Sequence, residues 1–144
     1  MELLNIFIGG EWRQGSGELM HSYFPADGAV NASLHAAGMS DLDDAVERAE
    51  RAWRNPAWRN SLPHQRARIL SRVADIIEAR VDELAERQTR DNGKPLAETR
   101  GLVMSAAGTA RYYAAACELL EGELPTPRIV DVLTLSRYEP LGVV

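Results

Sequence analysis

Short apolar runs alternate with turn sequences in the N-terminal part of the chain, which is typical of β-hairpins. Gly9 and Gly10 separate two such runs, and this spacing predicts a two-residue hairpin turn. The sequence Pro-Ala-Asp-Gly at 25–28 separates residues 23–24 from residues 29–34. Proline in the second place of a turn and glycine in the last favour a second hairpin.

Apolar positions recur at helical spacing in the middle of the chain and predict three helices. The first begins at Ser40, whose hydroxyl is expected to cap it, and ends at Asn55 because Pro56 follows. The second begins near Pro63 and continues without a break to the sequence Asp-Asn-Gly-Lys-Pro at 91–95.

The third helix is predicted from about Ala97 to Leu120, and one of its faces consists of small residues. Such a face favours close packing of helices over a bulky core. Gly101 and Gly108 lie within it, and each glycine costs about 1 kcal/mol relative to alanine. We therefore expect another part of the protein to approach the backbone closely at these two glycines.

The C-terminal part predicts a return to β structure. Residues 128–138 read as a strand with apolar side chains on both faces, which is unusual for a strand half exposed to water. Residues 141–144 begin a further apolar segment that we interpret as the start of a buried strand.

The composition is that of an ordinary globular chain, with 45% hydrophobic and 26% charged residues in 144 positions. This length predicts one domain. A net charge of −5 disfavours nucleic-acid binding. No apolar run is long enough for a membrane span, and a single cysteine fits the reducing cytoplasm. The expected location is cytoplasmic, with no membrane partner.

Candidate chemistry is sparse. His21, His35 and His64 are interpreted as surface or cap residues, since none lies near a nucleophile in the sequence. Cys117 could act as a nucleophile, but cysteine on a helix face of small residues is more often packed in a core. The sequence Gly-Ser-Gly at 15–17 resembles the start of a dinucleotide loop without its third glycine, and a plain loop is favoured.

Several short phrases in fixed order carry more information. They are Ile-Phe-Ile-Gly-Gly-Glu-Trp at 6–12, Pro-Ala-Asp-Gly at 25–28, Pro-Ala-Trp-Arg at 56–59, Arg-Ala-Arg-Ile-Leu at 66–70, Asp-Asn-Gly-Lys-Pro at 91–95, Arg-Tyr-Tyr at 111–113 and Tyr-Glu-Pro-Leu-Gly-Val-Val at 138–144. Together they resemble the N-terminal portion, roughly the first third, of the NAD(P)-dependent aldehyde dehydrogenase superfamily.

The resemblance implies an α/β fold, the N-terminal part of a Rossmann-like NAD-binding domain. Residues 1–127 would hold its hairpins and three main helices, residues 128–140 a protruding oligomerisation arm, and residues 141–144 the start of the first Rossmann-like strand. The whole enzyme would use NAD or NADP to oxidise an aldehyde. The family's oxyanion asparagine, general-base glutamate, nucleophilic cysteine and cofactor loop belong to motifs absent from this sequence, and Cys117 does not match the catalytic cysteine. The chain alone is therefore expected to be inactive and to bind no cofactor.

Two local sites are carried over from the resemblance. A monovalent cation is expected at Asp91, with the main-chain carbonyls of Ser22 and Tyr23 as further ligands. Phe24 stands where the family has asparagine, and the alternative is that Asp91 and the residue after it only cap a helix end. Ser105 and Thr109 would form part of the wall of the substrate tunnel, or serve only as packing spacers.

The resemblance also implies a homo-oligomer, a dimer or tetramer, formed through the strand at 128–138. In the family this segment joins a small sheet that another subunit completes. The alternative function is a non-catalytic helical interaction module that oligomerises through the same strand. An edge strand within the chain is the structural alternative.

Overall fold

Strands precede helices in the computed structural model, which describes residues 3–143. The strands are β1 (Leu3–Leu4), β2 (Ile6–Ile8), β3 (Glu11–Arg13), β4 (Leu19–Tyr23) and β5 (Val30–His35). The helices are α1 (Met39–Arg54), α2 (Pro56–Arg59), α3 (Pro63–Ala79), α4 (Val81–Asn92) and α5 (Leu96–Ala116). This mixed α/β architecture confirms the predicted fold class.

Both predicted hairpins are confirmed. Strands β2 and β3 pair antiparallel with Ile8 opposite Glu11, and both turn glycines have positive φ, 61° at Gly9 and 90° at Gly10. Two consecutive positive φ angles are what a tight hairpin turn between twisted strands requires. The second hairpin joins β4 and β5, with β1 added in parallel on the far side of β5.

The first helix starts earlier than predicted. Its N-cap is Gly38, so the prediction of a Ser40 cap is wrong. The carboxylate of Asp41 takes over the capping: it accepts from the amide of Gly38 at 3.0 Å and also bonds to Ser16. The predicted helix end at Asn55 is confirmed, and its side chain caps the short α2 by accepting from the Ala57 amide.

The second predicted helix is two helices. Its stop at residues 91–95 is confirmed by Gly93, whose φ of 76° closes α4 in the left-handed conformation. The continuous helix is wrong, because Arg80 leaves helical geometry with φ −120° and ψ 22° and separates α3 from α4. This bend lets both helices pack against α5.

The core lies where α3, α4 and α5 meet, and it is built of small side chains. Ala74, Ala85, Thr99 and Ala107 are fully buried there, which confirms the prediction of close helix packing. Helix α5 ends at Ala116, before the predicted limit of Leu120.

The prediction that the backbone is closely approached at Gly101 and Gly108 finds no support within residues 3–143. A methyl group added to either glycine would meet no described atom within 4 Å. Within the same residues, no helix is both long and apolar enough to cross a bilayer.

Residues 128–138 form no strand within the described chain, so the edge-strand alternative is wrong. The segment bends at 128–131, where Asp131 has a φ of 63°, and continues as irregular chain. Its main-chain pairing with the rest of the described chain is limited to the Ser136 amide, which donates to the Glu123 carbonyl at 2.9 Å, whereas a strand needs a neighbour along its length. Residues 141–143 are likewise irregular, and Val144 lies outside the described residues.

Candidate functional site

The end of β4 meets the end of α4, and this junction brings together two of the residues predicted to bind a cation. The hydroxyl of Ser22 donates to Oδ1 of Asp91 at 2.9 Å, across 69 positions of sequence. Strand β4 and helix α4 are thereby joined through a carboxylate. Tyr23 follows Ser22 at the end of the strand, and its exposed ring contacts His21 edge-on at 6.1 Å.

A β-bulge shapes the same junction. Ser22 pairs with Ala32 and Tyr23 with Val30, so Asn31 is an extra residue in β5. The side-chain Nδ2 of Asn31 donates to the main-chain carbonyl of Arg90 at 2.7 Å. Its Oδ1 is buried and has no hydrogen-bond partner among the described residues. No local signal in the sequence indicates the bulge at Asn31, because the bulge depends on the pairing of β4 with β5.

A hollow of about 450 Å³ opens beside these groups. It is lined by Leu4, Asn31, Ala32, Arg87, Arg90 and Asp91. The guanidinium of Arg90 lies 5.3 Å from the centre of the Phe24 ring, and that of Arg87 is bonded to Glu83 at 3.1 Å. Phe24, the departure from the family pattern, thus provides a surface for Arg90.

Carboxylate, hydroxyl and carbonyl oxygens are the ligands that hard cations prefer. At this junction the Asp91 carboxylate and the Ser22 hydroxyl are hydrogen-bonded to each other at 2.9 Å, and the guanidinium groups of Arg87 and Arg90 line the adjoining hollow. Asn92, by contrast, turns to the helix end: its Oδ1 accepts from the Lys94 amide at 2.9 Å. The capping alternative therefore describes Asn92, while Asp91 faces β4.

Ser105 and Thr109, the residues predicted for a tunnel wall, lie one turn apart on α5 and are exposed. The hydroxyl of Thr109 donates to the carbonyl of Ser105 at 2.9 Å. They sit on a different element from the junction of β4 and α4. The buried positions of α5 are others, among them Val103 and Ala107.

The Gly-Ser-Gly sequence at 15–17 does not fit a dinucleotide. The amide of Ser16 donates to Asp41 at 2.8 Å, and the amide of Gly17 donates to the carbonyl of Ala36 at 2.7 Å. A pyrophosphate would need these amides free. The loop instead fastens the start of α1, which confirms the interpretation as a structural loop.

The remaining candidate residues, two histidines and Cys117, lie in environments that indicate structural roles. Nδ1 of His21 bonds to the hydroxyl of Ser33 at 2.8 Å, and Nδ1 of His35 bonds to the carbonyl of Gly17 at 3.1 Å. Cys117, half-buried just after α5, lines an open cavity of about 750 Å³ together with the segment from Arg137 to Pro140. Within residues 3–143 no three His, Cys, Asp or Glu side chains form a metal-binding group.

Known proteins resemble this chain over nearly its whole length. Residues 12–144 match the aldehyde dehydrogenase family. A mutant aldehyde dehydrogenase from Bacillus cereus is 31% identical with a TM-score of 0.90, over 97% of this chain and 29% of its own. An NAD-dependent aldehyde dehydrogenase from Sinorhizobium meliloti is 28% identical with a TM-score of 0.86, over 93% and 27%. An Escherichia coli NADP-dependent enzyme is 29% identical with a TM-score of 0.86, over 93% of this chain and 28% of its own. The chain thus spans less than a third of the length of each of these three proteins.

Proposed function

Since this chain belongs to the aldehyde dehydrogenase family, we propose that it is the N-terminal portion of an NAD(P)-dependent enzyme that oxidises an aldehyde to a carboxylic acid. The observation that carries the proposal is the retained fold, a TM-score of 0.90 over 97% of the chain. When bound to the whole enzyme, NAD or NADP would accept the hydride. The residues of this chain would form scaffold, part of a substrate tunnel and an assembly arm.

The chain alone is proposed to be inactive, since the sequence lacks the family's nucleophile, base and oxyanion donor. The test incubates the purified chain with several aldehydes and either NAD or NADP and follows reduced nicotinamide. We expect no formation above background, and calorimetry should show no saturable NAD binding. Turnover, whether or not it persists in Cys117→Ala, would overturn this part of the proposal.

Residues 128–140 are proposed to form the arm, whose segment at 128–138 pairs with a second copy of the chain, giving a dimer or tetramer. The base of the arm is closed: the Ser136 amide donates to the Glu123 carbonyl at 2.9 Å, and the Glu123 amide donates to the Ser136 hydroxyl at 3.0 Å. Beyond this base, apolar side chains project, with Val130 85% and Leu133 74% exposed. A partner strand would bury them and satisfy the unpaired backbone.

Sedimentation of the chain tests the arm. The double variant Val132→Lys with Leu133→Lys should shift the oligomer toward monomer, because it places charge on both faces of the paired segment. Leu119→Lys, at an exposed position outside the arm, is the matched control and should leave the oligomer intact. A concentration-independent monomer in the unmodified chain would remove the support for the arm, and with it the alternative of a non-catalytic interaction module.

A monovalent cation is proposed at the junction of β4 and α4, held by the Asp91 carboxylate and the main-chain carbonyls of Ser22 and Tyr23. Its role would be to fasten the strand to the helix. The support is the contact of Ser22 with Asp91 at 2.9 Å. The midpoint of thermal unfolding should rise saturably in sodium or potassium chloride over choline chloride of equal ionic strength. Asp91→Asn should abolish that rise, and equal midpoints in all three salts would contradict the site.

The exposed side of α5 around Ser105 and Thr109 is proposed as tunnel wall in the whole enzyme. Both side chains are small, exposed and on one side of the helix, and a methyl group at the intervening Gly108 would meet open space. A cytoplasmic location is proposed on the single cysteine of the sequence.

A further inference from the structure

Asn92 is followed directly by Gly93, and this is the only Asn-Gly pair in the sequence. Asparagine is thermolabile, because the main-chain nitrogen of the next residue can attack the carbonyl carbon of its side-chain amide. Glycine has no Cβ to hinder that attack. The other asparagines precede larger residues or a proline, whose nitrogen carries no hydrogen: Ile6, Ala32, Pro56 and Ser61. Asn92 is therefore the most reactive asparagine of the sequence.

The exposed end of α4 carries both groups that this reaction needs. Asn92 is the last residue of the helix, Gly93 follows as its cap, and both are exposed. Oδ1 of Asn92 accepts from the Lys94 amide at 2.9 Å. This bond draws electron density from the side-chain carbonyl carbon and turns the side chain back toward the main chain that follows. Nδ2, the leaving group, has no hydrogen-bond partner among residues 3–143. The carbon to be attacked is thus polarised, and the group to be displaced is unrestrained.

One hydrogen bond restrains the attacking nitrogen. The amide of Gly93 donates to the Thr89 carbonyl at 2.8 Å, and the nitrogen has to lose this proton before it can attack. The same bond closes the last turn of α4. Terminal turns of helices open more readily than the interior. The nitrogen therefore becomes available when the last turn opens.

The sheet holds this last turn in place. Nδ2 of Asn31 in β5 donates to the main-chain carbonyl of Arg90 at 2.7 Å. The hydroxyl of Ser22 in β4 donates to Asp91 at 2.9 Å. Both contacts reach α4 within two residues of Asn92. Opening of the helix end works against these two bonds, so the sheet controls how often the attacking nitrogen is released.

We propose that Asn92 is a site of spontaneous deamidation and that opening of the α4 end sets its rate. The Gly93 nitrogen gives its proton to water and bonds to Cγ of Asn92. A succinimide ring closes as the Cγ–Nδ2 bond breaks, and the amide nitrogen leaves as ammonia. A water molecule then opens the ring at either carbonyl and leaves aspartate or isoaspartate. One water is consumed and one ammonia is released, and no group is oxidised or reduced.

Deamidation at this position would weaken the junction of α4 with the sheet. The new carboxylate lies beside Asp91 at the end of the helix where the dipole is negative. Isoaspartate also adds a methylene group to the main chain, which breaks the spacing that lets the Gly93 amide reach the Thr89 carbonyl. The aged chain should therefore unfold at a lower temperature than the fresh chain.

The test ages the purified 144-residue chain at neutral and at mildly alkaline pH. Peptide mapping by mass spectrometry follows the replacement of amide by carboxyl at each asparagine, and an isoaspartyl methyltransferase detects isoaspartate. Asn92 should convert before the exposed Asn60, and faster at the higher pH. Asn92→Gln should lose the isoaspartate signal, because its longer side chain cannot close the same ring. An Asn92 that stays intact in the folded chain, while the urea-unfolded chain converts there, would overturn the proposal.

The variant Asn31→Ala tests the control by the helix end. It removes the hydrogen bond to the Arg90 carbonyl, so Asn92 should convert about fivefold faster, the factor that corresponds to one typical hydrogen bond. Asn55→Ala removes a comparable side-chain hydrogen bond at α2, away from the junction, and should leave the rate unchanged. Equal rates in the unmodified chain, in Asn31→Ala and in urea would show that opening of α4 does not set the rate.

Discussion

Asp41 and Ser16 are joined by two hydrogen bonds that converge on one carboxylate oxygen. The amide of Ser16 donates to Oδ2 of Asp41 at 2.8 Å and its hydroxyl at 2.6 Å. Since Asp41 also caps α1, one side chain holds both the helix start and the loop before β4. The Ser16 hydroxyl is the largest cause that lowers the pKa of Asp41, to about 2.

Stability should therefore depend on Asp41 at acidic pH. A folded-state pKa of about 2, below the ordinary 3.8, gives a contribution that is fully present above pH 3.8 and lost as pH falls through about 2. Asp41→Asn should lower the melting temperature at neutral pH, and the gap to the unmodified chain should narrow between pH 4 and pH 2. Thermal unfolding across that range measures it. Asp43→Asn, at an exposed position of the same helix, is the control; a gap independent of pH would show that the carboxylate charge plays no part.

Thr99 should matter through its hydroxyl. It is fully buried, donates to the carbonyl of Leu96 at 3.0 Å and lies 2.9 Å from the hydroxyl of Thr89. Thr99→Val keeps the shape but leaves Thr89 without this partner, which should cost about 1–2 kcal/mol of unfolding free energy. Urea unfolding measures the change. Thr109→Val, at an exposed position of α5, should change the free energy of unfolding by no more than about 0.5 kcal/mol. Equal effects of the two substitutions would mean that the buried hydrogen bond between Thr89 and Thr99 adds no stability.

Two glycines should respond in opposite directions to alanine. A methyl group at Gly15 would lie 2.3 Å from the carbonyl oxygens of His35 and Ala36. Gly15→Ala should therefore lower the free energy of unfolding by at least about 2 kcal/mol. Gly108 lies in the interior of α5 with open space beside it. Gly108→Ala should therefore raise the free energy of unfolding by up to about 1 kcal/mol. Chemical denaturation of both variants decides the point. A stable Gly15→Ala protein would show that the loop relaxes away from β5.

Local signals in the sequence were sufficient for the hairpins and for most helix ends. Gly9 and Gly10 permit one turn, Gly93 closes α4, and Pro56 forces the end of α1, each through backbone geometry at the residue itself. The break at Arg80 has no such signal. No proline or glycine stands there, and the bend follows from the packing of α3 and α4 against α5.

Features that depend on distant residues were missed or left open. The cap at Gly38 prevails over Ser40 because Asp41 is drawn to Ser16, 25 positions away. The segment at 128–138 has strand-like composition, but strands form only with a neighbour. At the candidate site, sequence phrases indicated Asp91, whereas the hydrogen bond of Asn31 to the Arg90 carbonyl depends on a bulge that only the paired sheet reveals.

Hydrogen bonds between Glu123 and Ser136 hold the two ends of the intervening segment together. The length of that segment is therefore independent of the packing of the helices. A loop whose ends are already fixed can be lengthened cheaply, since doubling its residues costs only about 0.6 kcal/mol of closure entropy. Gly122 keeps this closure possible, because any side chain there would collide with the carbonyl of Ser136. Insertions beyond the base would alter what the arm can reach while the three packed helices stay as they are. The length of the segment between Glu123 and Ser136 can therefore change without a compensating change in the core.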